Sequence, residues 1–207
     1  VTTSPYGPYR SPANLGRVLR AFLAIYLFTV AAAFISSMMQ HSLLTSYQNG
    51  EYGDSEYMEL ATMNDMREGI VALLTVLARV TTIVIWCIWT NRVVKNAYSF
   101  GASWLENTPG WAVGWYFIPI ATLWKPFQAL NETWKASVDP KNGAGLSTAP
   151  IMTWWWILWL LDIVLSYVGN RIFLGTDLDT LIAGTSFTMA HLAFEIVLTI
   201  IAFLMIL

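Results

Sequence analysis

Cysteine and histidine are nearly missing from this chain. Cys87 is the one thiol, and His41 and His191 are the only imidazoles in 207 residues. A lone cysteine excludes an internal disulfide and any CxxC pair. Lying between Trp86 and Trp89 in an apolar run, Cys87 reads as a small buried hydrophobe. Two distant histidines offer no zinc-ligand spacing, and there is no HExxH string, no phosphate-cradling glycine loop and no Ser/His/Asp set. No catalytic, metal or cofactor residues are therefore expected. Charge is scarce too, at 12% of residues and without a polybasic run, which argues against nucleic acid as a partner. No internal repeat is visible, which weakens an inverted-repeat transporter.

Hydrophobicity is abundant instead. Apolar residues make up 56% of the chain, eleven of the residues are tryptophan, and the mean hydropathy is +0.53. These values fit an integral membrane protein, all-α because only helices and closed barrels satisfy their backbone within lipid. The reading is a polytopic helical bundle: a disordered arm over residues 1–16, then a single membrane domain over 17–207.

Four spans are expected. Arg10, Arg17 and Arg20 precede the first, residues 21–39, which just crosses a hydrocarbon core of about 30 Å. It exceeds the usual signal-peptide core of about 7–15 residues, so an uncleaved span is expected. Residues 40–69 carry six acidic residues against Arg67 and read as a polar, non-cytoplasmic loop. The second span, 70–90, ends in Trp86 and Trp89 as an interfacial belt, before Arg92 and Lys95. The linker 139–150 reads as flexible, being rich in Gly, Pro and small polar residues. The third span, 151–168, opens on Trp154, Trp155 and Trp156 at headgroup depth and stops at Gly169-Asn170-Arg171. Asp177 and Asp179 read as caps for the last span, 181–207.

Residues 108–137 are too broken by Pro119 and Pro126 to be a comfortable span and too apolar to be an ordinary loop. Thr108 can cap a helix beginning at Pro109 that carries Trp111, Gly114, Trp115 and Ile118 on one face, until Pro119 removes a hydrogen bond to Trp115. After Pro126, Phe127, Leu130 and Trp134 line one face, with Gln128, Glu132 and Lys135 opposite, as in an interfacial helix. The reading is a re-entrant dip followed by that helix. Charge supports it: eight Lys/Arg then lie on the cytoplasmic side with the N-terminus, against Arg67 and Arg171 outside. Five spans is the alternative, with six inside and four outside.

Asn91-Arg92, Asn96, Gly110-Trp111, Gly114 to Pro119, Leu123 to Leu130, Glu132 and Trp134 to Ser137, in this order, resemble the bacterial membrane family called domain of unknown function 4328. The signature residues are Trp111, Gly114, Trp115, Pro119, Trp124, Pro126, Glu132 and Trp134. The resemblance implies a bacterial, multi-span protein of the cytoplasmic membrane. It implies no catalytic residues, since the family has no assigned activity. Members often carry a zinc-ribbon-like N-terminal region, and the cysteine-free arm here does not.

Arg79, Asp162, His191 and Glu195 fall near the middle of their spans. A charge at mid-bilayer costs at least about 2.5–3.5 kcal/mol, so such groups face each other or a wet cavity. Arg79 can pair with Asp162 or Glu195, leaving a surplus carboxyl to stay protonated or share a proton with His191. Their plainest role is to hold helices in register. The functional expectation is a non-enzymatic subunit, scaffold or regulator with the Trp/Pro element as its contact surface. A small proton- or ion-coupled transporter or channel using the four groups is the alternative. The expected partner is the lipid bilayer, with other membrane proteins or self-association beside it.

Overall fold

The computed structural model describes residues 4–172 and 175–206, with Asn170 described by its backbone alone. Among the described residues there are six α-helices, in this order: α1 (Ala13–Gln48), α2 (Asp54–Ser99), α3 (Pro109–Gly114), α4 (Lys125–Val138), α5 (Pro150–Ile172) and α6 (Leu178–Met205). Single 3-10 turns lie at Trp115–Phe117, Ala121–Leu123 and Gly143–Gly145. Among the described residues there is no strand, and α1, α2, α5 and α6 are long and apolar enough to cross a membrane. Residues 109–138 contain no helix of that length, so a fifth span has nothing to carry it.

The first two helices run well past the expected spans. In place of a loop over 40–69 there is only the turn between Gln48 and Asp54. Polarity there marks a change of solvent, and the helical backbone continues through it. What stops α1 is a Schellman motif: Gly50, at φ 75°, donates to Tyr47 O at 3.0 Å while Glu51 N–H reaches Ser46 O at 3.0 Å. α2 ends the same way, with Gly101 at φ 89° donating to Tyr98 O at 3.0 Å and Ala102 N–H to Ala97 O at 3.3 Å. α5 likewise passes through the Gly169-Asn170-Arg171 stop to Ile172. Asp177 caps α6 through Thr180 N–H at 2.9 Å and the Thr180 hydroxyl at 2.7 Å, which holds its carboxyl below the usual range. Asp179 instead accepts from Gln48 Nε2 at 2.7 Å.

The chain divides into two compact units. One comprises Phe22–Thr81 and Leu158–Leu204 and contains parts of α1, α2, α5 and α6. Here α1 runs antiparallel to α2: Tyr47 meets Asp54 at 3.1 Å, Ser36 accepts from Arg67 Nε at 2.9 Å, and Thr75 donates to Thr29 O at 3.4 Å. It also runs antiparallel to α6, with Gln48 beside Asp179 and His41 Nδ1 3.1 Å from the Thr185 hydroxyl. Tyr26, Val30 and Ala78, flanked by Leu192 and Ile196, form its apolar core. Outward-facing Phe28, Leu73, Leu77, Val80, Val164 and Val197 are each at least half exposed.

The other unit comprises the chain up to Ala21, Thr82–Ile157 and the last residues from Met205. Its centre is aromatic. Trp86 stacks on Trp155 at 5.3 Å and donates to Tyr116 Oη at 3.0 Å, while Trp156 stacks on Phe127 at 5.7 Å and donates to Leu123 O at 3.2 Å. Three consecutive helical residues cannot share a direction: Trp155 and Trp156 are buried, and Trp154 alone is 62% exposed. Trp86, expected in a belt, is buried too, and Cys87 is half-buried.

Two stretches expected to be loose are pinned in this unit. In the arm, the Asn96 amide brackets Arg10, accepting from its N–H at 3.1 Å and donating to its carbonyl at 2.8 Å. Tyr6 packs on Tyr98 and Tyr9 on Phe100. In the linker, Asp139 Oδ1 accepts from Lys141 and Asn142 N–H, both at 3.0 Å, and Pro140 O accepts from Trp104 Nε1 at 2.8 Å. Small polar side chains that satisfy nearby backbone order a segment whose composition alone reads as mobile.

Gly143 shows how tight this is, because a Cβ there would lie 2.7 Å from Lys135 O and 2.7 Å from the Trp104 ring. Gly143→Ala is expected to destabilise the protein by about 1–3 kcal/mol, since the helix carbonyl cannot yield. Thermal unfolding of the purified protein checks this against Gly145→Ala, which meets nothing within 4 Å and should be near neutral.

Candidate functional site

All four ionisable groups picked from the sequence lie in the first unit, where they form two pairs. Arg79 on α2 forms an ion pair with Glu195 on α6. The Arg79 Nε–H also donates to Tyr26 Oη on α1 at 2.7 Å, and the Tyr26 hydroxyl donates onward to Glu195. One oxygen of Glu195 thus receives both an arginine and a tyrosine donor, and the guanidinium sits 5.6 Å from the Tyr26 ring centroid. Glu195 is 5% exposed, whereas the Arg79 side chain is 45% exposed.

The second pair joins α5 to α6. His191 Nε2 lies 2.9 Å from Asp162 Oδ1 and 3.4 Å from the Ser166 hydroxyl. Of the two partners open to Arg79 on depth alone, Glu195 is the one it meets. His191 and Glu195 share a face of α6 at i, i+4 spacing, yet each is bonded to a different neighbouring helix.

Tyr26 is the member that reading the sequence missed. A tyrosine in an apolar run passes as filler or belt, but its hydroxyl within a span needs partners, and that need was the available signal.

Both pairs border a cavity of about 520 Å³, whose lining includes Gln40, Arg79, Ser166, Thr185, His191 and Glu195. Along α6 the lining runs from Thr180 to Glu195. That stretch rises by about 22 Å at 1.5 Å per residue. Beyond it one face of α6 is packed: Leu198, Thr199 and Ala202 are buried, as is Leu23 of α1. Chemically, such a site can exchange protons with water and bind a small ion or polar solute at its floor.

The signature stretch lies in the second unit. The Thr108 hydroxyl accepts from Trp111 N–H at 3.4 Å and Pro109 opens α3, as its sequence suggests. α3 then ends at Gly114, one turn before the break expected at Pro119, where Trp111 stacks on Trp115 at 4.5 Å. The solvated face assigned to Glu132 is corrected: the side chain is buried at 9% exposure. Its Oε2 accepts from Glu106 N–H at 3.2 Å, Asn107 N–H at 3.3 Å and Asn107 Nδ2 at 3.0 Å. Asn107 Oδ1 accepts in turn from Trp115 Nε1 at 2.9 Å, and Asn91 Nδ2 donates to Pro109 O at 2.8 Å. Helix periodicity places Glu132 correctly on α4, but the donors that bury it come from a loop some 25 residues earlier. Pro126 is fully buried, Trp134 half-buried and Trp124 49% exposed, while Pro119 sits in the exposed turn between the two 3-10 segments.

A family model described as "Domain of unknown function (DUF4328)" matches residues 54–207, about three quarters of the chain. No curated protein and no solved structure matches it.

Removing one partner of a largely buried ion pair strands the other's charge. Arg79→Leu and Glu195→Gln are each expected to destabilise by about 2–3 kcal/mol, below the fully buried range because Arg79 opens onto the cavity. The double variant should recover part of that loss, whereas pairing Arg79→Leu with Asp162→Asn should not; melting in nanodiscs reads both cycles. Glu132→Ala, which orphans three donors, is expected to cost about 2–3 kcal/mol in the same assay, with Glu132→Gln milder.

Proposed function

Since the chain belongs to the DUF4328 family, whose description assigns no activity, we propose its role from the site itself: a small proton- or ion-coupled transporter or channel. The setting proposed is the bacterial cytoplasmic membrane, crossed four times. The outward apolar side chains of α1, α2, α5 and α6 support contact with lipid, because a water-facing surface so apolar would associate. The eight-to-two bias of Lys and Arg supports a cytoplasmic N-terminus, with the α1–α2 and α5–α6 connections on the opposite side. Exposed Phe117, Ile120 and Trp124 support a re-entrant or interfacial seat for the signature element.

The observation that carries the reading is that Arg79 and Glu195 of one pair, and His191 of the other, line the cavity. A structural lock needs its charges dry and paired; a coupling site needs at least one to reach water. The 45% exposure of Arg79 and the place of His191 on the cavity wall support the second.

The second reading is a subunit, scaffold or regulator that meets its partner through Phe117, Ile120 and Trp124, and that apolar exposure is what favours it. Proteoliposomes under an imposed membrane potential separate the two. The transport reading expects a flux of H⁺, Na⁺ or K⁺ that Asp162→Asn abolishes while the protein stays folded. No ion-specific flux, together with cross-linking of Ile120→Cys to another membrane protein in cells, would replace it with the scaffold reading.

A further inference from the structure

We infer that the ligand of the cluster is a single proton, taken up from the side of the α1–α2 and α5–α6 connections and held by the His191–Asp162 pair. The inference rests on the ion-coupled reading above and narrows it to one ion and one route.

The charge count comes first. Arg79, Glu195 and Asp162 together carry one net negative charge while His191 is neutral. One added proton makes the four groups neutral as two pairs, the state that a low-dielectric surrounding favours. A second proton would leave the cluster positive.

Location comes second. Glu195 already receives two donors, from Arg79 and Tyr26. Asp162 and His191, 2.9 Å apart, form the one pair in the cluster able to take a proton without giving up a donor from Arg79. The proton leaves hydronium for the imidazole–carboxylate pair, water remains, and no other bond is broken. A bound Na⁺ or K⁺ would need several oxygens around it, whereas Asp162 faces an imidazole nitrogen at hydrogen-bond distance. The charged and titratable groups around His191 are Asp162 from α5, Arg79 from α2, Tyr26 from α1 and Glu195 from α6 itself. His41 of α1 lies further along the cavity at Thr185.

Direction comes third. The cavity follows α6 from Thr180, next to the Gln48–Asp179 contact at the helix ends, down to Glu195. Thr180, Thr185 and Thr188 give this wall a row of hydroxyls. The lining of this cavity on α6 stops at Glu195, and Leu198, Thr199 and Ala202 after it are buried. The described arrangement is therefore a one-sided inlet, and transport requires a second arrangement open at the other end.

Two measurements on the full chain test this. In a Cys87→Ala background that keeps every ionisable group of the cluster, a membrane-impermeant maleimide should label Thr188→Cys only from the non-cytoplasmic face and Leu198→Cys from neither. Labelling of Thr188→Cys only from the cytoplasmic face, or of Leu198→Cys from that face, would overturn the one-sided route. On a solid-supported membrane, a step from about pH 8 to about pH 6, spanning the ordinary imidazole range, should displace charge in the wild type. The signal should vanish in Asp162→Asn and be unaffected by a Na⁺ or K⁺ step at constant pH. If a Na⁺ or K⁺ step produces the Asp162-dependent signal instead, the proton assignment fails and the ion-coupled reading survives. If no step produces one, both fail.

Discussion

A carboxylate 5% exposed among apolar helices must have its charge answered at its own depth, and the packing of three helices follows from how Glu195 is answered. Arg79 supplies the charge from α2 and Tyr26 a hydroxyl from α1, so α1, α2 and α6 are fixed in register at one point. Displacing any of them by one residue turns its side chain by about 100° and strands a charge that costs several kcal/mol. The apolar contacts of Tyr26, Val30 and Ala78 with Leu192 and Ile196 surround that point, but Val and Leu faces tolerate sliding far better than a hydrogen-bonded triangle does.

The other unit uses the same device with different donors. Glu132 is as buried as a core residue, and what compensates it is backbone N–H and an asparagine amide. Asn107 passes the constraint to the Trp115 indole, and Asn91 grips the carbonyl of Pro109 at the start of α3. The tryptophans and prolines of the signature stretch are thus held by a polar skeleton of two asparagines and one glutamate. A Trp/Pro motif that reads as membrane anchoring is, on one side, the covering of a buried carboxylate.

This division explains what could be read from the chain alone. The four long helices were legible because each contains an apolar run long enough to cross a membrane, and Arg79, Asp162, His191 and Glu195 stood out because charge is costly within such runs. Which carboxylate meets Arg79 was not legible, because residue number along a span gives depth and says nothing of which helix lies beside which. Tyr26 escaped because its ring is apolar and only its hydroxyl is informative. The loop drawn over 40–69 failed for a different reason: helix α1 is stopped by Gly50 and its Schellman bonds, well after the apolar run ends at Met39. Glu132 and the arm's Arg10 share a third cause, since their partners, Asn107 and Asn96, are remote in sequence and carry no periodic signal.

A purely structural role for the cluster has to contend with the cavity. Ion pairs that only fix helix register can be exchanged for well-packed apolar groups without loss of stability, and they are best kept dry, because water weakens the attraction that offsets their desolvation. Here the arginine is half open, His191 lies on the wall of a 520 Å³ hollow, and the α6 side of that hollow carries Thr180, Thr185 and Thr188 among its apolar residues. Those threonine hydroxyls are partly satisfied by their own helix, as with Thr188 to Gly184 O and Thr185 to Ile182 O, so they can face either water or protein without an orphaned donor. The same four helices could be held together more tightly by filling that space.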